Sequence, residues 1–173
     1  RGEPVRSIPS IPYKSYIEWL SKQSFDESEA FWKRYLRGFK QPSLIPTERI
    51  SGKAETEWIS RPLQLSEEET SGLLHAARTN RVTLNTLIQG LWAIFLRELS
   101  GLSDVVFGAT SSGRPLGLIG AEHIVGLFIN TIPVRATLDD DMEFGALLET
   151  IQREQAEARN YDYTPLSRIQ SWS

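Results

Sequence analysis

The sequence predicts an α/β protein, in which helices pack against strands in layers. Three observations predict it. Apolar residues recur at helical spacing behind recognisable starts, at Ser66 with Glu69 and again after Thr83. Two runs rich in β-branched and aromatic residues, Asp104–Thr110 and Val125–Arg135, read as strands. The two kinds of segment alternate along the chain, with no internal repeat and no low-complexity stretch.

Each element follows in order. Residues 1–12, with Pro4, Pro9 and Pro12, read as an extended linker. Tyr13, Tyr16, Ile17 and Leu20 predict a helix over 13–22. A second helix is expected from Asp26, with Glu29 completing a capping box. It would bury Phe31, Trp32, Tyr35 and Leu36 and stop at Gly38. Pro42, Pro46 and Gly52 make 39–53 a loop, and the alternation over 55–65 predicts a strand. Ser66 and Glu69 form a capping box for a helix ending near Asn80, with Glu67 and Glu68 complementing its dipole. Thr83 opens the most strongly patterned helix, which ends at Gly101. Leu84, Leu87, Ile88, Leu91, Trp92, Phe95 and Leu99 form one wide stripe, extended by Ile94 and Leu96, so this helix is expected to lie deep in the core. After the first strand, Ser111–Gly120 is a Gly/Pro-rich loop. After the second, Asp140 and Glu143 start a capped helix that turns Phe144, Leu147, Leu148 and Ile151 inward.

The 173 residues accommodate one substantial core or half of a larger two-lobed domain. A net charge of -3 makes no electrostatic case for nucleic acid or an anionic membrane. The absence of Cys removes disulfides and thiolate chemistry and suits a cytoplasmic protein. The opening Arg1-Gly2-Glu3-Pro4 is no signal peptide, and no run approaches the roughly 18 apolar residues of a membrane helix. Both ends read as cut from a longer polypeptide.

Few residues suggest chemistry. Gly108 to Pro115 nearly matches a phosphate-binding loop, but Arg114 replaces its Lys and Pro115 its hydroxyl. A structural turn carrying one Arg is the reading preferred. His75 and His123 lie in no metal-ligand spacing and have no evident orienting partner, so no metal site is assigned. Ser111 and Ser112 lie in no nucleophile elbow. The scattered Trp residues fall on core-like faces, which suits packing better than a stacking platform. The best candidates are Asn130 and Arg135, polar groups in an apolar run. Such groups need partners. The structural reading has Asn130 tying its strand to a neighbouring loop and Arg135 bridging to a carboxylate. The functional reading makes them part of a site.

Four segments resemble nonribosomal peptide synthetase condensation domains. Tyr13-Lys-Ser-Tyr16-Ile-Glu-Trp19, continued by Phe31-Trp32 and Leu36-x-Gly38, looks like the family's aromatic helix motif, with Ser15 where Asp is usual. Asp104–Gly108 through Ser112-Gly113-Arg114-Pro115 resembles the strand and loop before the central motif. Val125–Arg135 matches that motif almost word for word, and Asn160–Leu166 looks like the next one.

The resemblance implies a chloramphenicol acetyltransferase-like (CoA-dependent acyltransferase) fold. Its two α/β lobes, each a mixed sheet packed with helices, flank an active-site tunnel. It implies peptide-bond formation between aminoacyl and peptidyl groups held on the phosphopantetheine arms of carrier proteins, in antibiotic and other secondary-metabolite biosynthesis. No directly bound cofactor is implied. The family's catalytic signature, His-His-x-x-x-Asp-Gly, belongs to the N-terminal lobe, and no His-His pair occurs here. Residues 13–173 therefore resemble an incomplete C-terminal lobe, with 1–12 at the lobe crossover and no catalytic residue to carry over. Gly126, Phe128, Asn130, Thr131 and Arg135 map onto tunnel-lining or structural positions. Gly113, Arg114 and Pro115 belong to a loop expected to reach toward the other lobe. Alternatively, the chain is a non-catalytic module that docks carrier proteins or the partner lobe. An exposed inter-lobe face would also favour weak self-association.

Overall fold

The protein's structure, a computed structural model, describes residues 11–43, 59–115 and 117–173. Its elements run α1 (Lys14–Leu20), α2 (Phe25–Tyr35), α3 (Glu67–Thr79), α4 (Leu84–Ser100), β1 (Asp104–Ser111), β2 (Asn130–Thr137), α5 (Phe144–Ala158) and α6 (Leu166–Trp172). Single 3₁₀ turns cover Ala121–His123 and Arg159–Tyr161. Among the described residues the sheet has two strands, β1 beside β2. Asp104 meets Arg135, and Gly108 lies against Thr131. One strand advances four residues as the other retreats four, so the pair is antiparallel. The α/β class predicted from sequence holds, with helices predominating.

The chain divides into two compact units. The first draws on the described residues up to Phe39, on Gly108–Pro133 and on Ala156–Ser173. Its core gathers Tyr16, Ile124 and Phe128, with Ile11, Tyr13, Trp19, Leu20 and Leu118 packed around them. The Tyr16 and Phe128 rings lie 4.6 Å apart. α2 packs on α6, and Phe31 stacks on Tyr161 at 4.7 Å. α2 begins one residue earlier than expected. Its N-cap is Ser24 with no side-chain cap bond, and Glu29 instead pairs with Lys33 one turn on. Asp26 lies within the first turn, where its charge complements the helix dipole without capping.

The second unit comprises the described residues from Lys40 to Phe107 and Val134–Gln155. Its core joins Ala77, Leu87 and Leu148, flanked by Leu73, Ala76, Val82 and Phe144. The Ser66 capping box forms as expected: the Ser66 hydroxyl accepts from the Glu69 N–H, and the Glu69 carboxylate accepts from the Ser66 N–H. Thr83 caps α4, whose C-cap is Gly101 in the left-handed region. The Gln152 side chain fixes the turn between α3 and α4. Its amide nitrogen donates to Arg81 O at 3.0 Å and its amide oxygen accepts from Thr83 N–H at 2.9 Å. Arg81 holds φ +57° there. Asp140, expected to cap α5, is instead paired with Arg97.

Three expectations change. Residues 59–65 form no strand, and 55–58 lie outside the described residues; Ile59 and Leu63 are exposed, and Pro62 removes a ladder donor. The expected strand over Val125–Arg135 starts only at Asn130, and Val125–Ile129 is irregular.

The third change concerns α4, which is not buried all round. Leu84, Ile88, Leu91, Trp92, Phe95 and Leu99 of the expected stripe are exposed. The buried face is Thr86, Leu87, Gln89, Gly90, Ala93 and Leu96. The cause is close approach: a Cβ on Gly90 would sit 2.4 Å from Leu148 Cδ2 on α5. Gly90 admits that contact, and Leu87, Ala93 and Leu96 pack beside it on the same face. Gly90→Ala gains about 1 kcal/mol of helix propensity. It crowds Leu148, which is fully buried and has no room to yield, and overpacking costs about 1–3 kcal/mol. We expect a lower urea midpoint; a rise would show that Leu148 repacks freely.

Candidate functional site: the Asn130–Asp162 polar cluster

β2 begins at Asn130, and both ends of its side chain are engaged. Nδ2 donates to Asp162 O at 2.8 Å and to Thr164 O at 2.7 Å. Oδ1 accepts from Thr131 N–H at 2.9 Å. The central motif thus holds the Asn160–Leu166 motif by its backbone. Thr164, fully buried, exchanges a hydrogen bond with the equally buried Ser28 hydroxyl of α2. Asp162, buried, accepts from the Ser111 hydroxyl at 2.6 Å, and Ser111 Oγ accepts from Gly113 N–H at 3.2 Å. One polar chain therefore links α2, the end of β1, the start of β2 and the loop before α6.

The surrounding wall is built as closely. Gly113 is buried at φ +62°, and a Cβ there would meet Phe128 O at 1.7 Å. Arg114 Nη1 donates to Ala121 O and, at 3.1 Å, to Ile124 O, while its guanidinium lies 4.5 Å from the Phe128 ring centre. Pro115 is buried. Gly126 leaves room for the Tyr13 ring, which would lie 2.0 Å from a Cβ, and the Tyr13 hydroxyl donates to Leu127 O at 2.6 Å. Thr131 is half-buried beside Gly108. Gly113, Arg114 and Pro115 are fastened within their own unit by these contacts. Among the described residues of that loop, Ile119 is exposed.

Arg135 has different work in the second unit. Its Nε and Nη2 each donate to an Asp104 carboxylate oxygen at 2.8 Å, a bidentate pair with both side chains partly buried. Asn130 ties its strand to a loop and Arg135 bridges to a carboxylate, as the structural reading has it. His75 and His123 are exposed, and His123 Nε2 lies 3.6 Å from a Glu122 carboxylate oxygen. No helix follows the Gly108–Pro115 loop directly, so the framework of a phosphate-binding loop is not built. Among the described residues no group of three His, Asp or Glu could hold a metal ion.

Burial pushes the Asp162 carboxyl above the usual aspartate range, against the opposing hydrogen bond from Ser111 and the charge of Arg159. Burial also raises Tyr16, with Tyr13 and Asp162 adding to it. The folded state therefore holds a proton on Asp162 that the unfolded chain has released, between the ordinary aspartate value and the raised one. In that window stability falls as pH rises. Asp162→Asn, which can still accept from Ser111, should flatten that slope; an unchanged pH profile of the thermal midpoint would place it elsewhere.

The cluster lacks the geometry of nucleophilic catalysis. Ser111 has a carboxylate acceptor but no His beside it, and the other hydroxyls are used structurally. It is a scaffold that fixes the 111–115 and 160–166 loops. Ser28, Ser111, Asp162 and Thr164 escape the sequence reading as site residues. Asp162 lies inside a recognised motif, whereas Ser28 in the first turn of α2 gives no signal.

The condensation-domain family model matches residues 1–173. The chain belongs to the condensation-domain family. This condensation-domain chain is 41% identical, over its whole length, to one of the linear gramicidin synthase proteins of Brevibacillus parabrevis, and spans 4% of that relative. It is 37% identical to tyrocidine synthase 3 of the same organism, over 99% of this chain and 3% of that relative. It resembles the X-domain from teicoplanin biosynthesis at TM-score 0.76 and 23% identity, covering 98% of this chain and 39% of that one. The first condensation domain of the calcium-dependent antibiotic synthetase matches at TM-score 0.72 and 18% identity, covering 92% and 37%. These likenesses carry the acyltransferase-like fold. No helix among the described residues is long and apolar enough to cross a membrane.

Proposed function

We propose that residues 1–173 form part of a cytoplasmic nonribosomal peptide synthetase condensation domain that joins aminoacyl and peptidyl groups in a peptide bond. The observation that carries this is the family match over the full chain, together with the central motif Val125–Arg135. Both groups arrive as thioesters on the phosphopantetheine arms of carrier proteins, the partners of the domain. Residues 13–173 act as C-terminal lobe, with 1–12 at the crossover. The catalytic His-His-x-x-x-Asp-Gly comes from the N-terminal lobe. The contribution of this chain is positional. Asn130 sets the 162–164 backbone, Gly113 and Arg114 set the wall around Phe128, and Arg135 fixes β2 on β1. In a reaction between two tethered substrates, such orientation is the main source of acceleration.

Given two loaded carrier proteins, residues 1–173 alone should yield no dipeptide, and a polypeptide that also carries the His-His lobe should yield it, as read by mass spectrometry. Dipeptide from residues 1–173 alone would overturn the assignment.

A second reading, a docking module, is favoured by one feature. Val125, Leu127 and Ile129 are 86%, 76% and 67% exposed, every second residue along one stretch. Such a row suits an apolar partner surface, such as the other lobe or a carrier protein. Leu127→Asp should then weaken carrier binding in a surface-plasmon assay while leaving the thermal midpoint unchanged.

A further inference from the structure

We propose that Tyr13 is a positioning residue for the reaction read above: it holds the turn Val125–Ile129 of the central motif in the extended shape that points Phe128 inward and its neighbours outward. Along that turn the side chains alternate. Phe128 is buried in the core of the first unit, whereas Val125, Leu127 and Ile129 are exposed. Such alternation belongs to an extended backbone, which a strand ladder ordinarily holds. Here no ladder reaches it. β2 begins only at Asn130, and among the described residues no backbone–backbone hydrogen bond involves 125–129. Tyr13 stands in for the ladder. Its hydroxyl donates to Leu127 O at 2.6 Å, and its ring fills the space a side chain on Gly126 would take. The same ring meets that of Phe128 edge to face, 5.5 Å away.

The hold works at two points. Pro12 fixes the backbone between Ile11 and Tyr13, and each of those side chains enters the gap left by a glycine, Ile11 at Gly120 and Tyr13 at Gly126. The Tyr13 hydrogen bond is exposed, so water competes for both of its ends and its net contribution to stability is small. Gly126 leaves the backbone beside it free to rotate. A bond of little weight in stability thus sets the backbone of a segment with no ladder of its own. Its loss should show in the turn, and in turnover, before it shows in the thermal midpoint. Where two tethered groups must be oriented, a wall that shifts around Phe128 slows the step at saturating substrate without weakening binding. The effect on turnover rests on the condensation reading; the hold of Tyr13 on the turn does not.

The chain has no Cys, so a nitroxide attached through Val125→Cys reports on the turn alone. In residues 1–173, Tyr13→Phe should sharpen its electron paramagnetic resonance spectrum while the thermal midpoint moves by no more than about 3 °C. Gly126→Ala, whose methyl would lie 2.0 Å from the Tyr13 ring, should sharpen it likewise, and added to Tyr13→Ala should sharpen it no further. In a polypeptide that also carries the His-His lobe, Tyr13→Phe should lower kcat for dipeptide about tenfold and leave KM for the carrier proteins unchanged. An unchanged spectrum, an unchanged kcat, or a rise in KM alone overturns the proposal. No dipeptide from the unsubstituted polypeptide overturns the condensation reading and the effect on turnover with it, and the spectrum still decides whether Tyr13 holds the turn.

Discussion

Gly113→Ala should lower the thermal midpoint by about 10 °C, corresponding to a loss of about 3–5 kcal/mol for a chain of this size. Two costs add. An L-residue in the left-handed region at φ +62° costs about 1 kcal/mol. The larger cost is steric, because the new methyl would lie 1.7 Å from the backbone oxygen of Phe128. No rotamer change relieves a clash with backbone, so either the loop or the Phe128 segment must move. Both are fastened, the loop through Arg114 and Ser111, the segment through the core with Tyr16 and Ile124. Gly120→Ala is the control. Its φ of +78° carries the same backbone cost, but its methyl would meet Ile11 Cδ1, the end of a side chain that can turn aside. That variant should lose no more than about 2 kcal/mol. Circular dichroism on both proteins decides it: equal losses would mean that conformational strain, not the oxygen of Phe128, makes Gly113 necessary.

Asn130→Asp should be nearly as damaging despite being isosteric. The side chain now points two donor hydrogens at the carbonyls of Asp162 and Thr164, and both residues are buried. A carboxylate offers no donor and places negative charge against two carbonyl oxygens. Leaving two buried acceptors unmatched costs about 2–3 kcal/mol, and the repulsion adds to it. Asn130→Ala should cost less than Asn130→Asp, although it removes more atoms. Protonating the new carboxyl returns one donor, so the deficit of Asn130→Asp should shrink as pH falls. Urea unfolding of the three proteins at two pH values measures this. A less stable Ala variant would assign the worth of Asn130 to packing rather than to its donors.

Much of this architecture is legible in the sequence, and the reason is local chemistry. The Ser66–Glu69 box and the Thr83–Gly101 limits of α4 depend on neighbours within one turn, so sequence specifies them directly. The central motif is legible through its wording, and its two polar residues find the kinds of partner their chemistry requires. What is not legible depends on distant chain. The stripe on α4 is apolar and helical in period, but which face is buried is decided by Leu148, 58 positions from Gly90. The run from Val125 to Ile129 has strand composition, yet it forms no ladder; Tyr13, more than a hundred residues away, holds Leu127 O instead. Likewise nothing around Ser28 announces its pairing with Thr164.

The order in which the first unit is threaded has a consequence for synthesis. Its parts come from the beginning, middle and end of the chain, and its closing bonds span 136 residues from Ser28 to Thr164 and 139 from Ser24 to Tyr163. On a ribosome, α1 and α2 emerge with Tyr16, Phe31 and Trp32 still lacking most of the surface that later covers them. At about 5–20 residues per second they wait on the order of ten seconds for residues 160–169 to be made. Helices whose aromatic faces stay open that long are targets for chaperones and for aggregation, and loop closures of this length are slow to find. Translation rate along the intervening stretch, rather than final stability, would then govern how much of this protein reaches its native state.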